Sequence, residues 1–100
     1  MRFEWDERKR RETIARRGVD ILRAARIFEG EVLTWIDDRK DYGETRLISL
    51  GRVEDVPFVV VHVRRGEVTR LITAWKGGRN DFARYQAGIA RRDQGDGGAG

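Results

Sequence analysis

The sequence predicts an α+β domain: two N-terminal helices, a four-stranded antiparallel sheet in meander order, and a C-terminal helix. Three observations lead there. Apolar residues recur at helical spacing up to Gly30, at a spacing of two from Glu31 to Trp75, and at helical spacing again beyond Gly78. The stretches between the strand-like runs are short, whereas a parallel crossover needs about a dozen residues or more. Finally, 100 residues, 39% hydrophobic and 38% charged, suffice for one small domain of about two layers.

The elements follow in order. Asp6 is an N-cap for a very polar helix over Glu7 to Arg17, closed by Gly18, in which only Ile14 and Ala15 are apolar. Asp20 caps a second helix whose Ile21, Leu22, Ala24, Ala25 and Phe28 lie at core-facing spacing, with Gly30 as its stop. Strands are expected at 31–36, 44–53, 57–65 and 67–75. Asp37 to Gly43 forms a polar loop, Glu54-Asp55 and Arg65-Gly66 supply turns, and Pro57 stands at a strand's first position, where its missing N–H is tolerated. Gly77 and Gly78 end the last strand, and Gly78 or Asn80 opens a final helix to about Arg92, with Phe82, Tyr85 and Ile89 as its buried stripe and Arg84 and Arg91 toward solvent. The domain is thus expected over residues 1–92, and the glycine-rich stretch 93–100 is expected to be disordered.

Composition excludes several classes of function. With no cysteine and one histidine the chain lacks the ligands of zinc fingers, the thiols of disulfide scaffolds and the means for most transition-metal sites. No apolar run approaches the roughly 18 residues of a membrane span, and Met1 to Arg11 is charged where a signal peptide is apolar, so a cytoplasmic protein with no membrane partner is expected. The net charge of +4 is unevenly distributed. Residues 1–28 carry nine basic and five acidic groups, residues 29–67 six and nine, and residues 68–92 six and one. Two basic segments flanking an acidic one suggest polyanion binding, although 18 of the 21 cations being arginine also fits a simple compositional bias.

Strand alternation sorts the candidates for a site. Arg46 shares a face with Ile48, Leu50 and Arg52; His62 with Phe58, Val60 and Arg64; Arg70 with Val68, Ile72 and Ala74; and Trp75 with Thr69, Leu71 and Thr73. An arginine on an apolar face is costly unless paired or open to a cleft, so Arg46 and Arg70 either pair with Glu44 or Glu67, lie exposed at an edge, or mark a site. His62 has the only side chain whose ordinary pKa lies near neutrality, and is either structural or a proton-transfer group. Trp75 beside Lys76 is either core or a stacking platform next to a phosphate contact, and Arg79 lies at the margin between the last helix and the sheet. No phosphate-binding loop, serine nucleophile elbow or carboxylate metal cluster is present, so no metal or cofactor is called for.

An ordered set of strings resembles the BrnT family of bacterial toxins. They are Phe3-Glu4-Trp5-Asp6 with Lys9, Gly18-Val19-Asp20, Ala24-Ala25-Arg26 with Phe28, Asp41-Tyr42-Gly43-Glu44 with Arg46, Ser49-Leu50-Gly51, Val60-Val61-His62, and Arg70 to Lys76 followed by Arg79 and Tyr85. The resemblance covers residues 3 to about 86 and implies a RelE-like fold and RNA cleavage. It also implies a DNA-binding, BrnA-like antitoxin that meets operator DNA for the pair, and a 2:2 assembly. The chain departs from the family pattern at Arg16-Arg17, where members commonly have Lys-His, at Trp75, where many have Arg, and at Asp81, where Glu is usual.

On that resemblance the expected chemistry is metal-independent attack of a ribose 2′-hydroxyl on its own phosphate. Arg46 and Arg70 would clamp the phosphate and His62 would move a proton, with Glu44 the weaker candidate for that task. Trp75, Lys76 and Arg79 would hold the RNA. The competing expectations are a non-catalytic nucleic-acid- or protein-binding module on the same basic face, and a degenerate toxin kept for antitoxin binding and promoter autoregulation.

Overall fold

The computed structural model describes the backbone of residues 1–99 and the side chains of residues 1–93. It contains a fifth strand that the sequence reading missed. β1 (Arg2–Trp5) precedes α1 (Glu7–Arg17), α2 (Ile21–Ala24) and a 3-10 turn (Ala25–Glu29). β2 (Leu33–Ile36), β3 (Leu47–Val53), β4 (Val56–Arg65), β5 (Val68–Lys76) and α3 (Arg79–Ala99) complete the chain. The sheet order is β1-β5-β4-β3-β2, with β1 parallel to β5 and every other pairing antiparallel. The expected four-stranded antiparallel meander is therefore the larger part of a mixed five-stranded sheet. The rule that short connections give antiparallel neighbours holds for β2 to β5, but β1 reaches β5 across nearly the whole domain, where that rule does not apply.

Local chemistry fixes the helices. The Asp6 carboxylate accepts from the backbone N–H of Arg8 and Lys9, and Gly18, at φ 67°, donates to the Ile14 carbonyl. The residue that α1 buries is Thr13, whose hydroxyl donates to the Lys9 carbonyl, whereas Ile14, one of its two apolar residues, is 40% exposed. Arg10 holds α1 against α2 through a two-pronged pair with Asp20, which also caps α2 at Leu22. The second helix is broken: after one turn of α-helix the chain tightens into the 3-10 turn before Gly30. At α3 the Asp81 carboxylate reaches back to the Gly78 N–H, and the helix runs beyond the expected end at Arg92. The expectation of a disordered 93–100 tail falls mostly on side chains outside the described residues.

The sheet is the middle of three layers, one more than expected. On one face Ile21, Ala24, Ala25 and Ile27 pack on Val53, Phe58, Val60, Leu71 and Ala74. On the other, Tyr85 and Ile89 of α3 join Ile48, Leu50, Val59, Val61, Leu33, Trp35, Ile72 and Trp75. Covering on both sides explains the unbroken apolar run of β4. Gly51 marks the tightest approach, because a Cβ there would lie 2.8 Å from Ile27 Cβ and 3.1 Å from Val32 Cγ1. Gly51→Ala is expected to lower stability by about 1–3 kcal/mol through overpacking, read from urea unfolding.

One irregularity changes which side chains share a face. Val61 pairs with Thr73 but His62 pairs with Leu71, so Ile72 is an extra residue in β5 and forms a bulge. Leu71 and Ala74 consequently face α1 and α2, while Ile72 and Trp75 face the opposite way. The simple alternation that separated Arg70 from Trp75 is corrected, and both now project from one face.

Candidate functional site

The site is built where β3 begins, β4 ends and β5 begins. Register places Glu4, Arg70 and Val63 side by side, and Leu47 pairs with His62, which sets Arg46 beside Val63. Two strand spacings, about 10 Å, separate the Arg46 and Arg70 backbones on the face opposite the α1–α2 layer, within reach of one phosphate for two long side chains. Of the alternatives for these arginines, pairing with Glu44 or Glu67 is taken by neither among the described residues. Arg70 forms an ion pair with Glu4, at 3.4 Å, and Glu4 also meets Arg65 at 3.5 Å, while Arg65 meets Glu44 at 3.4 Å. Arg46 stacks on Tyr42, its guanidinium carbon 4.0 Å from the ring centre, and its buried Nε has no hydrogen-bond partner among the described residues. A buried unsatisfied donor costs about 1–3 kcal/mol, which an anionic oxygen at this position would relieve.

The loop between β2 and β3 roofs this row. Its ends close through the Asp37 N–H to the Arg46 carbonyl, at 2.8 Å. The buried Asp37 carboxylate grips Arg39 with two 2.7 Å hydrogen bonds, and that guanidinium, aided by the Tyr42 hydroxyl, holds the Asp37 carboxyl down at about 2. Arg39 is thereby fixed over Trp75, 5.8 Å from the ring centre, and Arg17 lies 5.1 Å from the same ring. Trp75 is half-buried and carries both cations, a cation–π arrangement that gathers two guanidinium groups at one place on the surface. Positions 17 and 75, two of the three places where the chain departs from the pattern it resembles, are therefore in contact.

His62 is not brought to this row. It points into the face covered by α2 and the 3-10 turn, 5% exposed, with its Nε2 2.8 Å from the Ser49 hydroxyl and its ring edge-on to Phe28. Ser49 in turn meets Thr34 at 2.7 Å. Burial first, and the nearby Arg64 second, push His62 down to about 4, so it is neutral at pH 7. Lys76 and Arg79 are exposed at the far end of β5, and six residues along a strand place Lys76 about 20 Å from Arg70. Arg79 lines a shallow hollow with Pro57 and Phe82 instead.

Of the residues chosen from sequence, the structure thus sets Arg46 and Arg70 on one face, with Glu44 at their margin and Trp75 on the same face about 16 Å along β5 from Arg70, and leaves His62, Lys76 and Arg79 elsewhere. Arg17, Arg39, Tyr42, Arg65 and Glu4 were not singled out for the site. Among these, only the Asp37-Asp38-Arg39 and Asp41-Tyr42-Gly43 strings carried a signal, as a loop too charged to be a mere connection.

A family model described as ribonuclease toxin, BrnT, of type II toxin–antitoxin system matches residues 5–81. That span holds every member of the cluster except Glu4. Comparison with curated proteins yields no match. No helix among the described residues is long and apolar enough to cross a membrane.

Proposed function

The chain belongs to the BrnT family of ribonuclease toxins of type II toxin–antitoxin systems, and from that membership we propose that the row Arg46, Arg70 and Arg65 is where it cuts RNA. Membership implies an RNA target and a protein antitoxin. The finer reading is a metal-independent cleavage in which RNA supplies its own nucleophile. The 2′-oxygen attacks the adjacent phosphorus, its proton passes to the Glu44 or Glu4 carboxylate, and the bond to the 5′-oxygen breaks as that oxygen takes a proton from water. The products are a 2′,3′-cyclic phosphate and a 5′-hydroxyl. Arg46 and Arg70 neutralise the added negative charge on the phosphate oxygens, the task for which paired guanidinium groups are suited. Trp75, held between Arg17 and Arg39, orients a neighbouring base.

The observation that supports this reading is the unpaired, buried Nε of Arg46 across one strand from Arg70. In it His62 is a structural group, and Lys76 and Arg79 contact flanking RNA at most. A DNA-binding antitoxin of the BrnA type in a 2:2 assembly belongs to the same proposal. The test is incubation of the purified chain with end-labelled single-stranded RNA, with and without EDTA and with and without ribosomes. Fragments ending in 2′,3′-cyclic phosphate, undiminished by EDTA, are expected. RNA left intact in all four conditions by folded protein would instead make this surface a binding module.

A further inference from the structure

The two edges of the sheet are unlike. β1 ends one side with Arg2 and Glu4 and runs into the charged α1, which packs along the rest of β5. β2 ends the other side as Leu33-Thr34-Trp35-Ile36, and its outer edge meets no other strand among the described residues. Sheet edges are ordinarily blunted by charge, proline or a bulge, because an unpaired row of N–H and C=O groups recruits another strand. β2 is short, at four residues, but carries no charge, proline or bulge, and Ile36 is 62% exposed. On the α3 side the edge opens into a groove of about 550 Å³ between Leu33, Trp35, Gly88 and three arginines, Arg84, Arg91 and Arg92. Arg84 stacks on Trp35, 4.3 Å from the ring centre, and a Cβ on Gly88 would lie 2.5 Å from Leu33 Cδ1, so the floor of the groove is closely packed and its rim is cationic.

We propose that the β2 edge and this groove form the docking surface for an extended acidic peptide segment, which adds to the sheet as a sixth strand. Strand addition takes its affinity from backbone hydrogen bonds and its specificity from alternate side chains. Here the side chains on the α3 side of the incoming strand enter the groove, where carboxylates meet Arg84, Arg91 and Arg92 and their stems cross Leu33 and Trp35, while the alternate, apolar side chains lie on the other face beside Thr34 and the exposed Ile36. Charge selects this occupant over a second copy of the chain. Pairing two β2 edges about a twofold axis would bring the same three arginines toward themselves, and like charges opposed across an interface are unfavourable. A single RNA strand makes no use of a free strand edge. The protein antitoxin that the family implies is the natural carrier of such a segment, but the surface itself is argued independently of RNA cleavage.

The test uses the full chain carrying Arg46→Ala and Arg70→Ala, so that loss of cleavage and loss of docking are read separately. The probe is a labelled nine-residue peptide alternating Glu with Val and Leu, beside the same peptide N-methylated at alternate residues and a version with Lys for Glu. Saturable binding is expected for the first, with amide protection appearing at residues 33–36. N-methylation, the Lys version and the triple change Arg84→Glu, Arg91→Glu, Arg92→Glu should each weaken it at least tenfold. No binding, or binding indifferent to N-methylation, overturns the proposal. So does a dimer by sedimentation that Ile36→Glu dissolves, or a single-stranded RNA affinity that falls at least tenfold with the triple change.

Discussion

Arg70→Ala is expected to slow RNA cleavage by about 10²- to 10³-fold, the scale on which removing one fixed donor from a developing oxyanion acts. The reasoning is geometric. Register sets Arg70 and Arg46 on one face, two strand spacings apart across β4, with Arg70 held by Glu4 and Arg46 by Tyr42 before any RNA arrives. Loss of Arg70 leaves the phosphate gripped from one side. Arg70→Lys keeps the charge and loses the planar fork, and should fall between the wild type and Ala. Arg46→Ala should match Arg70→Ala within about tenfold, and the double variant should be less than the product of the two, because groups that act on one phosphate are not additive. Stability should scarcely move. The Arg70–Glu4 pair is partly exposed, Glu4 keeps Arg65 as a partner, and such pairs contribute about 0–1 kcal/mol. A cleavage rate unchanged in folded Arg70→Ala protein would remove this row from the chemistry.

The second large effect is acid destabilisation through His62, with no matching effect on catalysis. In the unfolded chain His62 titrates near 6.5, and in the folded one its burial holds it at about 4. The unfolded state therefore binds the proton more tightly. The stabilisation is fully present above pH 6.5 and is lost as the pH falls toward 4. Linkage gives a loss of about 2 kcal/mol between pH 7 and pH 5, and about 3 kcal/mol once the pH is below both values. The carboxylates of Asp37 and Asp20, held low by Arg39 and Arg10, add their own losses lower on the pH scale. Urea midpoints measured at pH 7, 6 and 5 should fall in the wild type and stay nearly level in His62→Gln. At pH 7 the same variant should cleave RNA within a few-fold of wild type. A drop of about 10²-fold or more in folded His62→Gln protein would return His62 to the role of general acid or base.

How much of this was legible in the sequence depended on whether the cause was local. The caps at Asp6, Gly18 and Asp20, the Glu54-Asp55 turn and the meander of β2 to β5 arise from neighbouring residues, and each was readable. β1 was not, because four residues carrying two charges have too little pattern to declare a strand whose partner lies more than sixty residues away. The bulge was equally silent. Val-Thr-Arg-Leu-Ile-Thr-Ala-Trp alternates well enough without it, and only the pairing with β4 shows that Ile72 is the extra residue. That single displacement explains why Arg70 and Trp75 were assigned to opposite faces. Arg46 and Arg70 were legible as candidates because they are cations in otherwise apolar runs, and the register sets them on one face. His62 was chosen for its place in an apolar run, its intrinsic pKa and the Val60-Val61-His62 string, and burial against Phe28 and Ser49 removes the advantage of that pKa. Arg17 and Arg39 could not be distinguished from the other arginines, since what marks them is the Trp75 ring between them.

The parallel pairing of β1 with β5 gives synthesis of this protein a particular timing. Arg46 emerges early, but its counterpart Arg70 lies in the last strand made, and that strand acquires its outer neighbour only when residues 2–5, the first translated, return to it. Contacts of such long sequence separation form late and slowly, since the chain must close a large loop before gaining anything from the contact. A growing chain therefore carries the proposed cleavage centre disassembled. A translation product cut short before residue 68 carries Arg46 and Arg65 but neither Arg70 nor Trp75, so the proposed cleavage centre cannot assemble in the fragments of an interrupted message.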